Sequence, residues 1–349
     1  MLRGWFSIHQ VLLIPLSILL SWAITMLLSR LYILLSLKYK LFQPINEDVP
    51  NTHAAKIETP TAGGLAFGLG STVTVLLFSD ISNAYVWIPL ASMWIFLCIG
   101  LIDDAAKMRK RTSIGLSSLR KLSLQIIAAA LVVYLIAAFS GLNTTSIQLP
   151  WDASVHIEIG LWYRLFALLF IVLLVNSVNI TDGLDSLAAG VSLPVFALVM
   201  VICILFGTGL YTQPLTFPIG EHALPYALVS ASCFGALLAF LWYNSPKATL
   251  FMGDAGSHAI GAILAVSALL LKIELVVLIA SAMFIAECLS SFIQIISIRL
   301  FHKKVFLLAP MHHHFERRGM GEQTITARMT LISVLCAVGA AFIMFARHE

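Results

Sequence analysis

Three short acidic stretches carry the strongest chemical signal in this chain. They are Ile102-Asp103-Asp104-Ala105-Ala106-Lys107, Asn176-Ser177-Val178-Asn179-Ile180-Thr181-Asp182-Gly183-Leu184-Asp185 and Phe251-Met252-Gly253-Asp254-Ala255-Gly256-Ser257. Each follows an apolar run, so all three are expected at one depth of a membrane bundle, where carboxylates are expensive and tend to mark function. On a helix Asp103 and Asp104 point about 100° apart and are not expected to face the same partner. Asp103 and Lys107, four apart, are spaced for an exposed ion pair. Asn176, Asn179 and Gly183 form one polar stripe, which suits a polar ligand and equally suits a helix–helix contact inside a membrane. Asp182-Gly183 predicts a turn. Around Asp254 the glycines allow close backbone approach, and Asp254 or Ser257 is a candidate cap for the helix that follows.

Basic groups supply the counterpart. Lys56-Ile57-Glu58-Thr59-Pro60-Thr61-Ala62-Gly63-Gly64 reads as a rigid turn carrying a cation and hydroxyls. Lys107, Arg109, Lys110, Arg111, Arg120 and Lys121 mark an inner loop and can hold anionic headgroups. Pro310-Met311-His312-His313-His314-Phe315-Glu316 places three histidines in succession. Adjacent side chains diverge, so anion contact or proton transfer is expected rather than one shared metal. Glu287 and Gln294, seven apart, share a helix face and are expected to look into a groove rather than lipid. Carboxylates beside lysines and histidines suit a phosphorylated substrate. Magnesium is often held by only one or two carboxylates and completes its shell with water and phosphate oxygens. It would neutralise a diphosphate in an in-line displacement.

The elements that must position these groups are membrane helices. Of 349 residues 60% are hydrophobic and 11% charged, against roughly 45–50% and 25% for a soluble domain, which excludes a soluble protein. The net charge of +4 is too small, and the basic residues too interleaved with apolar runs, for a nucleic-acid surface. The five cysteines sit singly in apolar stretches, without the spacing of a disulfide framework or zinc site. Apolar segments near 11–31, 62–79, 84–102, 122–140, 163–180, 186–207, 223–243, 257–271, 275–298 and 329–346 predict an all-α integral membrane protein of about ten spans, with residues 1–349 as one membrane domain. Of 21 Lys and Arg, only Arg3, Arg164, Lys272 and Arg347 fall outside one set of loops. Basic loops face the cytoplasm, so both termini are expected outside and the acidic stretches at the cytoplasmic face. The first apolar run lacks a small-residue cleavage site and does not read as a signal peptide.

These segments together resemble the polyprenyl-phosphate N-acetylhexosamine-1-phosphate transferases. The resemblance rests on Lys56-x-x-Thr-Pro-Thr-x-Gly-Gly, Asp103-Asp104-x-x-Lys107, Asn176-x-x-Asn179-x-Thr-Asp182-Gly-x-Asp185, Phe251-x-Gly-Asp254-x-Gly-Ser257 and His312-His-His314-Phe-Glu316, in order from about residue 53 to 328. The Pro-x-His-His-His-Phe-Glu form is similar to the phospho-N-acetylmuramoyl-pentapeptide transferase branch, whereas relatives that transfer N-acetylglucosamine phosphate tend to carry His-x-His-His. The resemblance implies transfer of phospho-MurNAc-pentapeptide from UDP-MurNAc-pentapeptide to undecaprenyl phosphate in the bacterial inner membrane, giving lipid I and UMP for peptidoglycan. It also implies Mg²⁺ on Asp254, with Asp103 as base or orienter of the lipid phosphate, Asp104 beside the metal or diphosphate, and His313 among the catalytic groups. Lys56, Asn179, Asp182, Gly183, Leu184, Asp185 and Phe251 would line the uridine side, while His312, His314, Lys107 and Lys121 would contact phosphates. Thr61, Asn176, Gly253 and Gln294 complete the expected substrate contacts, and a homodimer embedded in membrane lipid is usual for such proteins. Such a transfer runs either by direct attack of the lipid phosphate or in two steps through an aspartyl-phosphate; direct attack is expected, because exchanging one phosphoanhydride for another needs no covalent relay. Ala62 stands where Met is frequent, Ser186 where Gly is usual, and His258 where an apolar residue would open the eighth span. The nearest alternative changes the donor to UDP-GlcNAc. A secondary transporter is the alternative of another class, although transporters tend to place ionisable groups near the bilayer midplane.

Overall fold

The computed structural model describes residues 2–39, 42, 59–110, 112, 115–142, 145–211 and 219–346. Twelve helices and two short strands are found among them: α1 (Leu2–Tyr39), α2 (Gly64–Phe78), α3 (Ala84–Lys110), α4 (Ser118–Phe139), β1 (Ser146–Leu149), β2 (Asp152–Glu158), α5 (Trp162–Thr181), α6 (Leu187–Gly207), α7 (Ile219–Asn244), α8 (Gly253–Leu271), α9 (Glu274–Ala280), α10 (Ala282–Phe301), α11 (Met311–Arg317) and α12 (Glu322–Phe345). Among the described residues nine helices are long and apolar enough to cross a membrane, against the ten spans expected. The segment expected over 62–79 forms the shorter α2, whose 15 residues begin only after the chain leaves a pairing with the loop before α8. The segment expected over 275–298 is broken at Ser281 into α9 and α10.

The centre of the bundle is α8, which is buried along its whole length and packs on α3, α5 and α2. Its sequence is dense in Gly, Ala and Ser. Apolar side chains gain nothing by leaving lipid for another helix, so small residues that let backbones approach are what holds such contacts. Gly100 of α3 and Gly64 of α2 mark the closest of them: a Cβ would lie 2.2 Å from the Asp254 carbonyl oxygen at the first and 2.2 Å from the Gly256 backbone at the second. Outside this centre α1 packs on α7 and α2, α6 on α7, and α12 on α6 and α9.

The ends of the helices sort the loops into two groups. One end carries the chain entering α2, the α3–α4, α5–α6 and α7–α8 connections, and α11. The opposite end carries an antiparallel hairpin of β1 and β2, which the all-α expectation did not include. The hairpin is tied down by Lys272, whose ammonium donates to the Ser146 carbonyl and pairs with Glu274 at 3.1 Å. Glu274 also accepts from the Tyr163 hydroxyl.

Candidate active site

The three acidic stretches meet at one end of the bundle. Carboxylate oxygens of Asp103, Asp104 and Asp254, all buried, lie within 4.8 Å of one another. Lys107 sits among them, its Nζ at 2.9 Å from Asp103, 3.5 Å from Asp104 and 3.1 Å from Asp254. Neighbouring aspartates on α3 were expected to face different partners. They share Lys107 because its long side chain, at i+4 and i+3, returns over the same turn. Lys121 of α4 forms a very short ion pair with Asp254 and lies 3.9 Å from Asp103. Asn179 of α5 donates to Asp254 and to Ser257, each at 3.0 Å, and accepts from Lys121. Three carboxylates against two ammonium groups leave one formal negative charge in a site shielded from water.

Asp104 has a second task. Its two oxygens accept from the backbone N–H groups of Asp254 and Ala255, each at 3.1 Å, so it caps α8 from another helix. Neither expected cap acts as one: Ser257 donates to the Gly253 carbonyl, and the Asp254 carboxylate points to Lys107, Lys121 and Asn179. Asp103 accepts from the Leu116 N–H at 2.7 Å, which ties the α3–α4 loop to the cluster. Gly253, at φ +71°, makes the turn that delivers Asp254, a conformation costly for any residue with a Cβ.

The two glycine-bearing loops pair with each other. Phe251 N–H donates to Pro60 O and Gly63 N–H to Phe251 O, both at 2.8 Å, and Gly64 N–H reaches Met252 O. The Thr61 carbonyl accepts from the Tyr32 hydroxyl. Thr61 is buried beside Gly253. Lys56 lies outside the described residues.

The turn at Asp182 and Gly183 stands between the carboxylate cluster and the histidines. Asp182 is partly exposed, yet desolvation by the protein around it holds its carboxyl well above the usual carboxylate range, and the charges of Asp254 and Asp104 push the same way. A Cβ on Gly183 would fall 2.4 Å from His312 Nε2. His312 is buried, with Nδ1 3.0 Å from Glu287. His313 Nδ1 lies 2.6 Å from Glu316, and His314 Nδ1 accepts from the Leu307 N–H. The three rings thus take three separate partners, as their spacing predicts.

An all-oxygen set of three buried carboxylates matches what a hard divalent cation prefers and offers nothing to a soft one. The model of glycosyl transferase family 4 matches residues 86–272, more than half of the chain and the stretch that contributes the whole acidic cluster. The phospho-N-acetylmuramoyl-pentapeptide-transferase of Desulfotalea psychrophila is 36% identical over 324 residues, 92% of this chain and 89% of that protein. The protein of the same name from Pelagibacter ubique is 34% identical over 325 residues, 93% of this chain and 90% of its own. The chain belongs to the phospho-N-acetylmuramoyl-pentapeptide transferases of glycosyl transferase family 4. As a member of that family with nine candidate spans, it is a multi-pass membrane protein.

Several residues expected to touch substrate in this transferase also hold the fold together. Asn176 donates to Gln125 and to the Val172 carbonyl, both at 2.8 Å, which leaves its amide no free proton for a ligand. Gln294 accepts from the N–H groups of Val305 and Phe306 and donates to the Phe306 carbonyl, so it shapes the loop before the histidines. Asp185 is buried, accepts from the Ala248 N–H, and through its carbonyl holds Thr326. Leu184 is buried beside it. Phe251 serves the loop pairing through its backbone. The transferase also uses residues outside the motifs: Gln125, which lies one turn after Lys121 at the start of an apolar run, and Glu322, which accepts from the Asp185 N–H. Ser186 explains its own departure from the usual glycine. It adopts φ +67°, which glycine tolerates freely, and is held there by hydrogen bonds to both the side chain and the carbonyl of Asn244.

Proposed function

We propose that this enzyme transfers phospho-MurNAc-pentapeptide from UDP-MurNAc-pentapeptide to undecaprenyl phosphate, releasing UMP and forming lipid I, with its active site at the cytoplasmic face and both termini outside. The observation that carries the assignment of the site is the convergence of Asp103, Asp104 and Asp254 with Lys107 and Lys121 at one end of the bundle. That end belongs to the loops holding most of the Lys and Arg, which supports the orientation.

In this reading the lipid phosphate attacks the donor's β-phosphorus. The bond from that phosphorus to the bridging oxygen breaks, and the electron pair leaves with UMP. Asp103, tied to the α3–α4 loop, orients the attacking phosphate oxygen or takes its proton. Lys107 and Lys121 offset charge on the phosphates, which at low dielectric is a large part of transition-state stabilisation. His312 and His313 approach from α11 on the far side of the Asp182–Gly183 turn, where His313 contacts the phosphate oxygens that leave with UMP. Asn179, Asp182 and Gly183 border the uridine side, with Lys56 as a further donor contact. Asp254 would hold Mg²⁺ with Asp104 beside it, and the ion would supply neutralisation of the diphosphate charge. Residues 1–349 act as one membrane domain, and a homodimer is the expected assembly.

The test uses purified protein in detergent with undecaprenyl phosphate and Mg²⁺, offered UDP-MurNAc-pentapeptide or UDP-GlcNAc, with UMP and lipid product followed. Turnover of the muramoyl donor alone, lost in Asp254→Ala and without divalent cation, is expected. Turnover of UDP-GlcNAc would overturn the donor assignment, and activity retained by Asp254→Ala would overturn the assigned site.

A further inference from the structure

Behind the carboxylate cluster runs a line of polar side chains that the mechanism above does not use. It starts at the Val172 carbonyl on α5, passes through Asn176, Gln125 on α4 and His258 on α8, and ends on the Asp254 carbonyl. Gln125 and His258 are fully buried, in a region where an unsatisfied polar group is costly. His258 occupies a position where an apolar residue was expected.

The polarity of every link follows from the two ends. A backbone carbonyl can only accept. The Asn176 atom 2.8 Å from Val172 O is therefore its NH₂ group, and the Gln125 atom 2.8 Å from that NH₂ is an oxygen. The other Gln125 terminus is then NH₂, which donates to His258 Nε2 at 2.9 Å. His258 Nε2 must be bare, and the ring proton lies on Nδ1, which donates to Asp254 O at 2.7 Å. Starting from the Asp254 carbonyl gives the same assignment for a neutral ring. Both directions agree, and each polar atom of Gln125 and His258 has a partner.

We infer that Gln125 and His258 are positioning residues of this transferase, acting as a directional hydrogen-bond strut from α5 through α4 that fixes the Asp254 main chain and so the place of its carboxylate. The inference rests on the reading of Asp254 as the cation ligand. The Asp254 peptide is gripped on its N–H side by Asp104, while its carbonyl meets His258 and packs on Gly100, so the strut supplies the contact with α4 and α5 that the other two do not. Neither residue touches substrate. Partners that orient a metal ligand commonly matter 10- to 100-fold in metal affinity or activity.

The experiment measures Mn²⁺ binding to the full-length protein in detergent by electron paramagnetic resonance, alongside thermal denaturation and turnover, for Gln125→Leu, His258→Leu and the double variant. Each single variant is expected to weaken Mn²⁺ binding by at least 10-fold and to lower kcat, with the donor KM little changed. The double variant is expected to lose no more than either single one, because both cut the same strut. Losses that multiply in the double variant overturn the inference. So does lower thermal stability with unaltered Mn²⁺ affinity, which would mark plain packing. Should the substitutions prevent folding, ¹⁵N-histidine spectra of the unaltered protein decide. One ring must carry its proton on Nδ1, with Nε2 bare, in slow exchange with solvent, and the lack of such a ring refutes the strut. Mn²⁺ binding that survives Asp254→Ala would instead overturn the metal reading beneath it.

Discussion

Replacing Gly100 by alanine adds one methyl group where α3 presses on the start of α8. The new Cβ would stand 2.2 Å from the Asp254 carbonyl oxygen, 2.3 Å from its carbon and 2.4 Å from the Ala255 nitrogen, whereas ordinary contact begins near 3.4 Å. All three obstacles are backbone atoms, so no rotamer change relieves the clash, and the helices must part by about 1 Å. Helix propensity alone would favour alanine by about 1 kcal/mol, while overpacking of a tight site typically costs about 1–3 kcal/mol. The larger effect is on chemistry. Asp103 and Asp104 travel with α3 and Asp254 with α8, so the methyl group widens the carboxylate cluster itself. A misplacement of about 1 Å can cost on the order of 10²-fold in rate, equivalent to about 2.7 kcal/mol of barrier. UMP release by the purified variant, at saturating donor and undecaprenyl phosphate, measures this directly. Gly339→Ala in α12 is the control, since nothing lies within 4 Å of its added Cβ, and it should match or slightly exceed the unaltered protein in stability. Wild-type turnover in Gly100→Ala would refute the claim that α3–α8 spacing sets the site.

Three further outcomes follow from the same geometry. Lys107→Met should leave three clustered carboxylates with Lys121 alone, a buried imbalance expected to cost about 3–5 kcal/mol; thermal denaturation should show the loss, and millimolar Mg²⁺ should partly restore it. Ser186→Gly should be neutral within about 1 kcal/mol, because relief of the left-handed backbone offsets the lost hydroxyl bond, whereas Ser186→Ala keeps the strain and should cost about 1 kcal/mol; denaturation of the two side by side checks the order. Asp182 has a raised pKa in the folded protein, so between the ordinary carboxylate value near 4 and that raised value the folded state binds more protons than the unfolded one. Its contribution to stability is therefore greatest below that window and falls as pH rises through it. In metal-free buffer Asp182→Asn should flatten this fall, and equal slopes for the two proteins would contradict the assignment.

Much of this architecture is readable in the chain because the strongest signals are local. Apolar runs placed a helix at every expected span, and each acidic stretch sits at a helix end, so their common depth followed from the alternation of spans, while their convergence depends on how α3, α5 and α8 pack. What escaped depends on contacts between segments distant in sequence. Asp104 looks like a redundant neighbour of Asp103 until α8 is placed against it. Asn176 looks available to a ligand until Gln125 is seen to take its proton. The break at Ser281 has no proline or glycine beside it, and β1 and β2 are too short for their alternation to stand out from a polar loop. Lys107 and Lys121, largely explained by loop topology, are singled out in the sequence only by the family resemblance, and the structure sets them among the carboxylates.

The enclosure of α8 bears on how the protein is made. A helix that touches protein along its whole length has no surface that must dissolve in lipid, so it can afford His258, Ser257 and Ser267 among its apolar residues. Its hydropathy of 1.6 equals that of α10 and is lower than that of the other spans. The same residues make α8 a poor candidate to leave the insertion machinery alone. It emerges after α2, α3 and α5, the helices on which it packs, so its destination is a cleft already lined by protein. The carboxylate cluster therefore closes late in synthesis: Asp103 and Asp104 are made first, on α3, and meet Asp254 only when α8 follows.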